Sequence, residues 1–269
     1  MAEDAAGSRK RLPEAERKGE YMGYEELKIE GRNAVLEAFR SGKTIDKLFV
    51  LDGCQDGPVK SITREARKHD TIINYVAKER LDQLSETGKH QGVIAVSAAY
   101  EYAEVEDILA AAEEKGEAPF IIILDGIEDP HNLGAIIRTA NQAGAHGVII
   151  PKRRAVGLTP TVARTSAGAI NYTPVAKVTN ISNTMKELKD KGMWFVCADM
   201  DGTRMYDLDL TGPIGLVIGN EGEGVSPLVK KNCDMVASIP MKGDIDSLNA
   251  SVATGVLAYE IVRQRMIKG

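Results

Sequence analysis

The stretch Phe120-Ile121-Ile122-Ile123-Leu124-Asp125-Gly126-Ile127-Glu128-Asp129-Pro130-His131-Asn132-Leu133-Gly134-Ala135-Ile136-Ile137-Arg138 opens on an unbroken apolar run, turns polar, and then takes up helical spacing. An apolar run without polar alternation is the pattern of a strand buried on both faces. Similar short runs at 147–150, 194–198 and 214–218 alternate with helical stretches. Residues 119–269 therefore read as an α/β unit, a parallel sheet covered by helices. In such sheets ligands sit beyond the carboxyl ends of the strands, so the polar residues directly behind each run are the candidates.

Behind the first run, Asn132 suits a helix N-cap and Arg138 lies about one and a half turns further on, among apolar neighbours. Standing alone, Arg138 reads first as an ordinary salt-bridging helix residue. Behind the run at 214–218 comes Gly219-Asn220-Glu221-Gly222-Glu223-Gly224-Val225-Ser226-Pro227. Its Gly-x-x-Gly-x-Gly spacing differs from the Gly-x-Gly-x-x-Gly of dinucleotide sites. Glu221 and Glu223 would repel a pyrophosphate, and the loop carries no lysine. This disfavours a hydride-transferring oxidoreductase and a nucleotide hydrolase, whereas a cationic ligand such as a sulfonium suits two nearby carboxylates. Further on, Ile239-Pro240-Met241 precedes Ser247-Leu248-Asn249-Ala250-Ser251, which opens a long helix through Arg265. Ser247, Asn249 and Ser251 are plain capping residues or groups that orient a substrate. Val252, Val256, Tyr259 and Val262 share one face of that helix, which reads as core.

The rest of the chain reads as a charged tail over 1–23, a small α/β module over 24–99 and an acidic helical linker over 100–118. Within the module, helical spacing at Ala34, Val35, Ala38 and Phe39 and again over 59–68 accompanies β-rich runs at 47–51 and 93–98. In the linker, Val105, Ile108, Leu109 and Ala112 mark a helix closed by Gly116. A length of 269 residues suits two compact domains. The three cysteines, Cys54, Cys197 and Cys233, are far apart with no CxxC pair, so neither a metal site nor a disulfide framework is expected. With no apolar run of the roughly 20 residues that cross a bilayer, and a charged N-terminus, the expectation is a soluble, cytoplasmic protein with no membrane partner.

The formal net charge of −5 argues at first against nucleic acid. The acidity is uneven: residues 1–118 carry 18 Lys and Arg against 24 Asp and Glu, and residues 119–269 carry 16 against 15. Lys152-Arg153-Arg154 and Arg164 form a local cationic patch near the candidate segments, and a specific site needs only local basic groups. The net charge limits nonspecific affinity for any polyanion and makes it strongly salt-dependent.

These segments resemble the three motifs of the SpoU (TrmH-type) RNA ribose 2′-O-methyltransferases. The first runs from Asp125-Gly126 through Asn132 and Arg138, the second is Gly219-Asn220-Glu221-Gly222-Glu223-Gly224, and the third is Ser247-Leu248-Asn249-Ala250-Ser251-Val252-Ala253. Ile29-Glu30-Gly31-Arg32-Asn33-Ala34-Val35, Lys89-His90-Gln91-Gly92-Val93 and Arg164-Thr165-Ser166-Ala167-Gly168-Ala169 are similar to the RlmB-like branch, which methylates guanosine in 23S rRNA. The resemblance implies a catalytic domain with a deep trefoil knot, an N-terminal substrate-binding domain and a homodimer joined through the catalytic domains. It implies S-adenosyl-L-methionine as cofactor, S-adenosyl-L-homocysteine as product, and no metal. Arg138 would act on the target 2′-hydroxyl, Asn132 would position it, Glu221 would organise the loop, and Ser247 and Asn249 would shape the pocket. Gly219, Ile239 and Leu248 would contact the cofactor, with Arg32, Lys152, Arg153, Arg154 and Arg164 on the RNA. A guanidinium is a poor base, so Arg138 either loses its proton or stabilises the forming alkoxide while another group takes the proton. A tRNA ribose methyltransferase and a catalytically silent RNA-binding scaffold are the alternatives.

Overall fold

The computed structural model describes residues 27–244 and 247–268, so the tail expected over 1–23 lies outside the described residues. The first unit runs β1 (Lys28–Glu30), α1 (Arg32–Arg40), β2 (Ile45–Leu51), α2 (Gly57–Lys68), β3 (Ile72–Val76), α3 (Lys78–Leu84) and β4 (Val93–Ser97). Its sheet order is β1-β4-β2-β3, with β4 antiparallel to both neighbours and β3 parallel to β2. Leu48 and Val50 on β2 bury one face against Val35 and Phe39 of α1 and Ile62 and Ala66 of α2. The register with β4 slips between Ile45 and Lys47, and the extra residue, Asp46, is buried there. A bulge of this kind re-aims a side chain out of the strand's alternation.

Helix α4 (Val105–Lys115) begins with a capping box between Glu104 and Asp107 and ends at Gly116, whose φ of +65° suits glycine. The helix read as a linker does more than connect. Its Ile108 is fully buried with Ile121, Ile123 and Ile149, and it packs where Gly147 has no side chain.

The second unit continues with β5 (Phe120–Asp125), α5 (Pro130–Gln142), β6 (Gly147–Pro151), α6 (Pro160–Thr165), β7 (Val175–Val178) and α7 (Ile181–Asp190). It ends with β8 (Trp194–Arg204), β9 (Ile214–Gly219), α8 (Pro227–Lys231), β10 (Met235–Ser238) and α9 (Ala250–Lys268). The six strands are all parallel in the order β10-β8-β9-β5-β6-β7. Phe120, Ile122 and Leu124 face α5 and α9, while Ile121 and Ile123 face α4 and α7. The expected parallel sheet between helices is therefore present, with edge strands β7 and β10 added. The chain leaves β5 toward β6 and β7, then returns on the other side through β8 and β9. This reversal makes the carboxyl ends of β5 and β9, where Asp125 pairs with Gly219, the crevice of the sheet.

One expectation about α9 is corrected. Its buried stripe is Ala250, Leu257, Ala258 and Ile261, whereas Val252 and Tyr259 are 49% and 52% exposed and Val256 and Val262 are half-buried. Both faces carry apolar residues, so periodicity alone could not choose the inward one. At the far end, Arg265 donates to the carbonyls of Ala118, Pro119 and Gly212 at 2.8–3.1 Å and lies over the Phe120 ring, tying α9 to the start of the sheet.

The two units meet at a buried polar joint. The Lys177 ammonium on β7 pairs with Asp46 of β2, and the Tyr102 hydroxyl donates to Asp46 at 3.0 Å. The same hydroxyl accepts the Leu158 amide at 2.9 Å, and Lys177 lies 4.7 Å from the Tyr102 ring. Burial first, and then the negative charge of Asp46, push the Tyr102 hydroxyl well above its ordinary pKa.

Candidate functional site

The loop behind β9 closes on itself. Asn220 and Gly224 exchange backbone hydrogen bonds at 3.1 and 2.9 Å, and a side chain on Gly219 would collide with the Gly224 carbonyl. The loop is also stitched to the end of β5. The Asn220 side chain donates to the Gly126 carbonyl at 3.0 Å and the Ser226 amide donates to Asp125 at 2.8 Å. Gly126, at φ +86°, makes the turn that allows this approach.

Asn132 was expected to cap its helix. Instead Asp129 caps α5 by accepting the His131 amide at 2.8 Å, with Pro130 as the first helical residue. This places Asn132 inside the first turn, 7% exposed, with its side chain free to bond elsewhere. Its amide nitrogen donates to a Glu221 carboxylate oxygen, and its amide oxygen accepts from Asn249 at 3.0 Å. Asn249 in turn accepts from the Ser251 hydroxyl and amide at 2.6 and 3.0 Å, fixing the start of α9. A single buried amide thus joins three segments that are 89 and 117 residues apart in sequence. Gly134 helps to set its position, because a side chain there would collide with Thr165 of α6.

Beside this junction lies a cavity of about 350 Å³. Gly219, Ile239 and Leu248, expected as cofactor contacts, line it together with Glu221 and Ser247. Asn132 and Asn249 stand behind Glu221. Asp199, directly after the apolar part of β8, is also on the wall, bound by Lys230 at 2.6 Å. That hydrogen bond from Lys230 holds the Asp199 carboxyl below its ordinary pKa. Asp199 was missed although it follows an apolar run as the other site residues do. Three carboxylates, Asp199, Glu221 and Glu223, therefore face a cavity whose other walls include Ile218, Ile239 and Leu248. Arg138 does not line the cavity. It is exposed on α5, with no hydrogen bond or ion pair among the described residues. No group of three or more His, Cys, Asp or Glu among the described residues could hold a metal ion.

The expected RNA contacts divide. Arg153 and Arg154 follow β6, exposed and without a carboxylate partner among the described residues, and Arg164 is exposed at the end of α6. Lys152 pairs with Asp70 at 3.0 Å. Arg32 is committed within the first unit: it pairs with Asp56 at 2.6 Å and donates to the Gln91 carbonyl at 3.0 Å. The sequence could not reveal this, because Asp56 and Gln91 are brought to it only by the fold.

The profile of the SpoU rRNA Methylase family matches residues 119–259, and the profile for RNA 2′-O ribose methyltransferase substrate binding matches residues 28–103. Bacillus subtilis (strain 168) YacO, named for the TrmH family of tRNA/rRNA methyltransferases, is 50% identical over 236 residues, 87% of this chain and 94% of its own. The SpoU methyltransferase AviRb from Streptomyces viridochromogenes, solved in complex with AdoMet, is 28% identical with a TM-score of 0.57, over 90% of this chain and 91% of its own. The A. aeolicus TrmH/SpoU tRNA modifying enzyme is 32% identical with a TM-score of 0.52, over 57% of this chain and 78% of its own. With its catalytic-type sheet, its three joined motifs and these matches, the chain belongs to the SpoU family of RNA methyltransferases.

Proposed function

We propose that the chain transfers a methyl group from S-adenosylmethionine to a ribose 2′-hydroxyl of RNA, with a guanosine in 23S rRNA as the target. The observation that carries this reading is the Asn132–Glu221–Asn249 junction beside a cavity at the crevice of a parallel sheet. The cavity's donor set fits the cofactor: Ile218, Ile239 and Leu248 suit a flat apolar ring, and Asp199, Glu221 and Glu223 suit positive charge. When bound there, S-adenosylmethionine supplies a methyl group on a cationic sulfur.

The protein's own part is positioning and electrostatics. Asn132 holds Glu221 at the rim, and Asn249 fixes the third motif around the same amide, so the pocket is shaped before a ligand enters. Holding two reactants in line can account for roughly 7–11 kcal/mol of a barrier. A guanidinium is a poor base and a strong hydrogen-bond donor, which favours for Arg138 the role of stabilising the 2′-oxygen as it loses its proton over that of a base. A homodimer would supply what one chain leaves open: Val252, Tyr259 and Met266, 49%, 52% and 78% exposed, recur every seven residues along α9, which packs beside the helix carrying Arg138. The knot at the C-terminal end, the roles of residues 24–99 as substrate-binding domain and 119–269 as catalytic domain, and a cytoplasmic location belong to the same reading.

The four-stranded unit favours rRNA over tRNA as substrate. The tRNA modifying enzyme from A. aeolicus matches only 57% of this chain. Calorimetric titration with S-adenosylmethionine and a methyl-transfer assay test the reading together. The wild type should bind the cofactor and methylate rRNA, and Arg138→Ala should bind it equally well and lose transfer. Retention of most of the turnover would remove Arg138 from the chemistry, and absence of cofactor binding would leave the scaffold reading.

A further inference from the structure

A second cleft, of about 660 Å³, opens between the two units, and its walls share no residue with those of the cofactor cavity. Its first wall is one face of the small sheet. Lys47 and Phe49 alternate with the inward Leu48 and Val50 along β2, and the parallel register sets Ile72 and Asn74 beside them. The second wall is the segment behind β6, Lys152 to Val156.

The chemistry of this cleft is one-sided. Lys47, Arg153 and Arg154 are exposed with no carboxylate partner among the described residues, Lys152 is balanced by Asp70, and Glu128 is the one carboxylate on the walls. Phe49 is half-buried and lines the same cleft as these cations. Cations that follow a backbone together with an aromatic ring on which a base can stack are the features that hold unpaired nucleic acid. A duplex keeps its base faces stacked inside, and A-form RNA offers mainly phosphates and 2′-hydroxyls.

The cleft is also connected to the site. The Val156 amide donates to the Ile127 carbonyl at 3.0 Å, and the Arg154 carbonyl lies against Gly126, the residue to which Asn220 of the cofactor loop bonds. A strand following this wall is led from Phe49 toward Asn132 and Glu221.

We propose that this inter-unit cleft binds an unpaired segment of the substrate RNA, with a base stacked on Phe49 and phosphates on Lys47, Arg153 and Arg154. The proposal rests on the reading of the chain as an RNA methyltransferase, and it adds the form of RNA that enters and the residues of the small sheet that receive it.

The test is fluorescence anisotropy of the full-length protein with labelled oligo-uridine, alone and annealed to oligo-adenosine, over a range of salt and without cofactor. Lys47→Ala/Arg153→Ala/Arg154→Ala should weaken single-strand binding tenfold or more. It should also reduce the slope of log affinity against log salt by about 2, since each lost phosphate contact removes about 0.7 for a single strand. Phe49→Leu, which keeps an apolar side chain, should weaken binding several-fold without altering that slope. Thermal melting checks that both variants are folded. Wild-type affinity in both folded variants, or equal affinity for the duplex that does not depend on Phe49, would overturn the proposal. The two readings fail separately. Unchanged oligonucleotide binding in variants that still methylate rRNA would sink the cleft alone. Loss of oligonucleotide binding in variants of a protein that binds no S-adenosylmethionine would sink the methyltransferase reading and keep the cleft.

Discussion

Asp46 and Lys47 are neighbours on one strand, yet they serve two opposite kinds of contact between the units. Asp46, turned inward by the bulge, meets Lys177, Tyr102 and the Leu158 segment in a joint where the charges and the hydroxyl are buried and partnered. There is no room to spare: a side chain on Gly157 would collide with Asp46 and Tyr102. Lys47, one residue on, opens into the cleft beside Arg153 and Arg154 with no partner among the described residues. A satisfied buried network fixes geometry, while uncompensated exposed cations keep their binding capacity for a ligand. The joint therefore sets how the small sheet faces the large one, and the cleft is what that orientation leaves available.

The largest effect should come from breaking the joint. Asp46→Ala leaves the Lys177 ammonium buried without its partner, which should cost about 3–5 kcal/mol in denaturant unfolding. Asp46→Asn/Lys177→Met, which removes both charges, should recover much of that loss. Tyr102→Phe should cost less, about 1–3 kcal/mol, because it strands the Leu158 amide while keeping the ring. A pH dependence comes from another buried contact, where the His146 ring accepts the Phe120 amide at 3.0 Å and faces Glu117 with its other nitrogen at 3.1 Å. Burial first, and then the positive charge of Lys115, hold the His146 pKa below its ordinary value, against the opposing pull of Glu117. The unfolded chain then takes up a proton that the folded ring refuses, so stability should fall as pH drops through about 6.5. His146→Gln should flatten that slope in unfolding measurements at different pH. The smallest effect belongs to the open side. Lys152→Met removes an exposed ion pair with Asp70 and should change stability by no more than about 1 kcal/mol. A loss at Lys152 equal to that at Asp46 would erase the distinction between joint and cleft.

Legibility in the sequence followed the range of the interactions. The strands at the centre of the large sheet were readable because burial on both faces leaves an unbroken apolar signature, as in Phe120 to Leu124. Strands β7 and β10 are short edges, and β7 carries Lys177 where an apolar residue would have marked it. The site motifs were readable as segments, but their meeting at Asn132 was not, since Asp129 takes the capping role and only the fold brings Glu221 and Asn249 to the same amide. The joint was invisible for a similar reason: Asp46 signals only as a charge among apolar residues, and Lys177 lies 131 positions away. The outward face of α9 was misread because it carries apolar residues, Val252, Tyr259 and Met266, as the inward face does, and periodicity alone does not choose between two such faces.

The pocket beside Asn132, Glu221 and Asn249 is the proposed place of RNA ribose methylation. Its most direct test is mapping of 2′-O-methyl marks in total rRNA and tRNA from cells with the protein, without it, and with Arg138→Ala in its place. The expected result is loss of a guanosine mark in 23S rRNA on deletion, restored by the wild type and not by Arg138→Ala. An unchanged rRNA map, with or without a missing tRNA mark, would contradict the rRNA assignment, and a mark restored in full by Arg138→Ala would contradict the site.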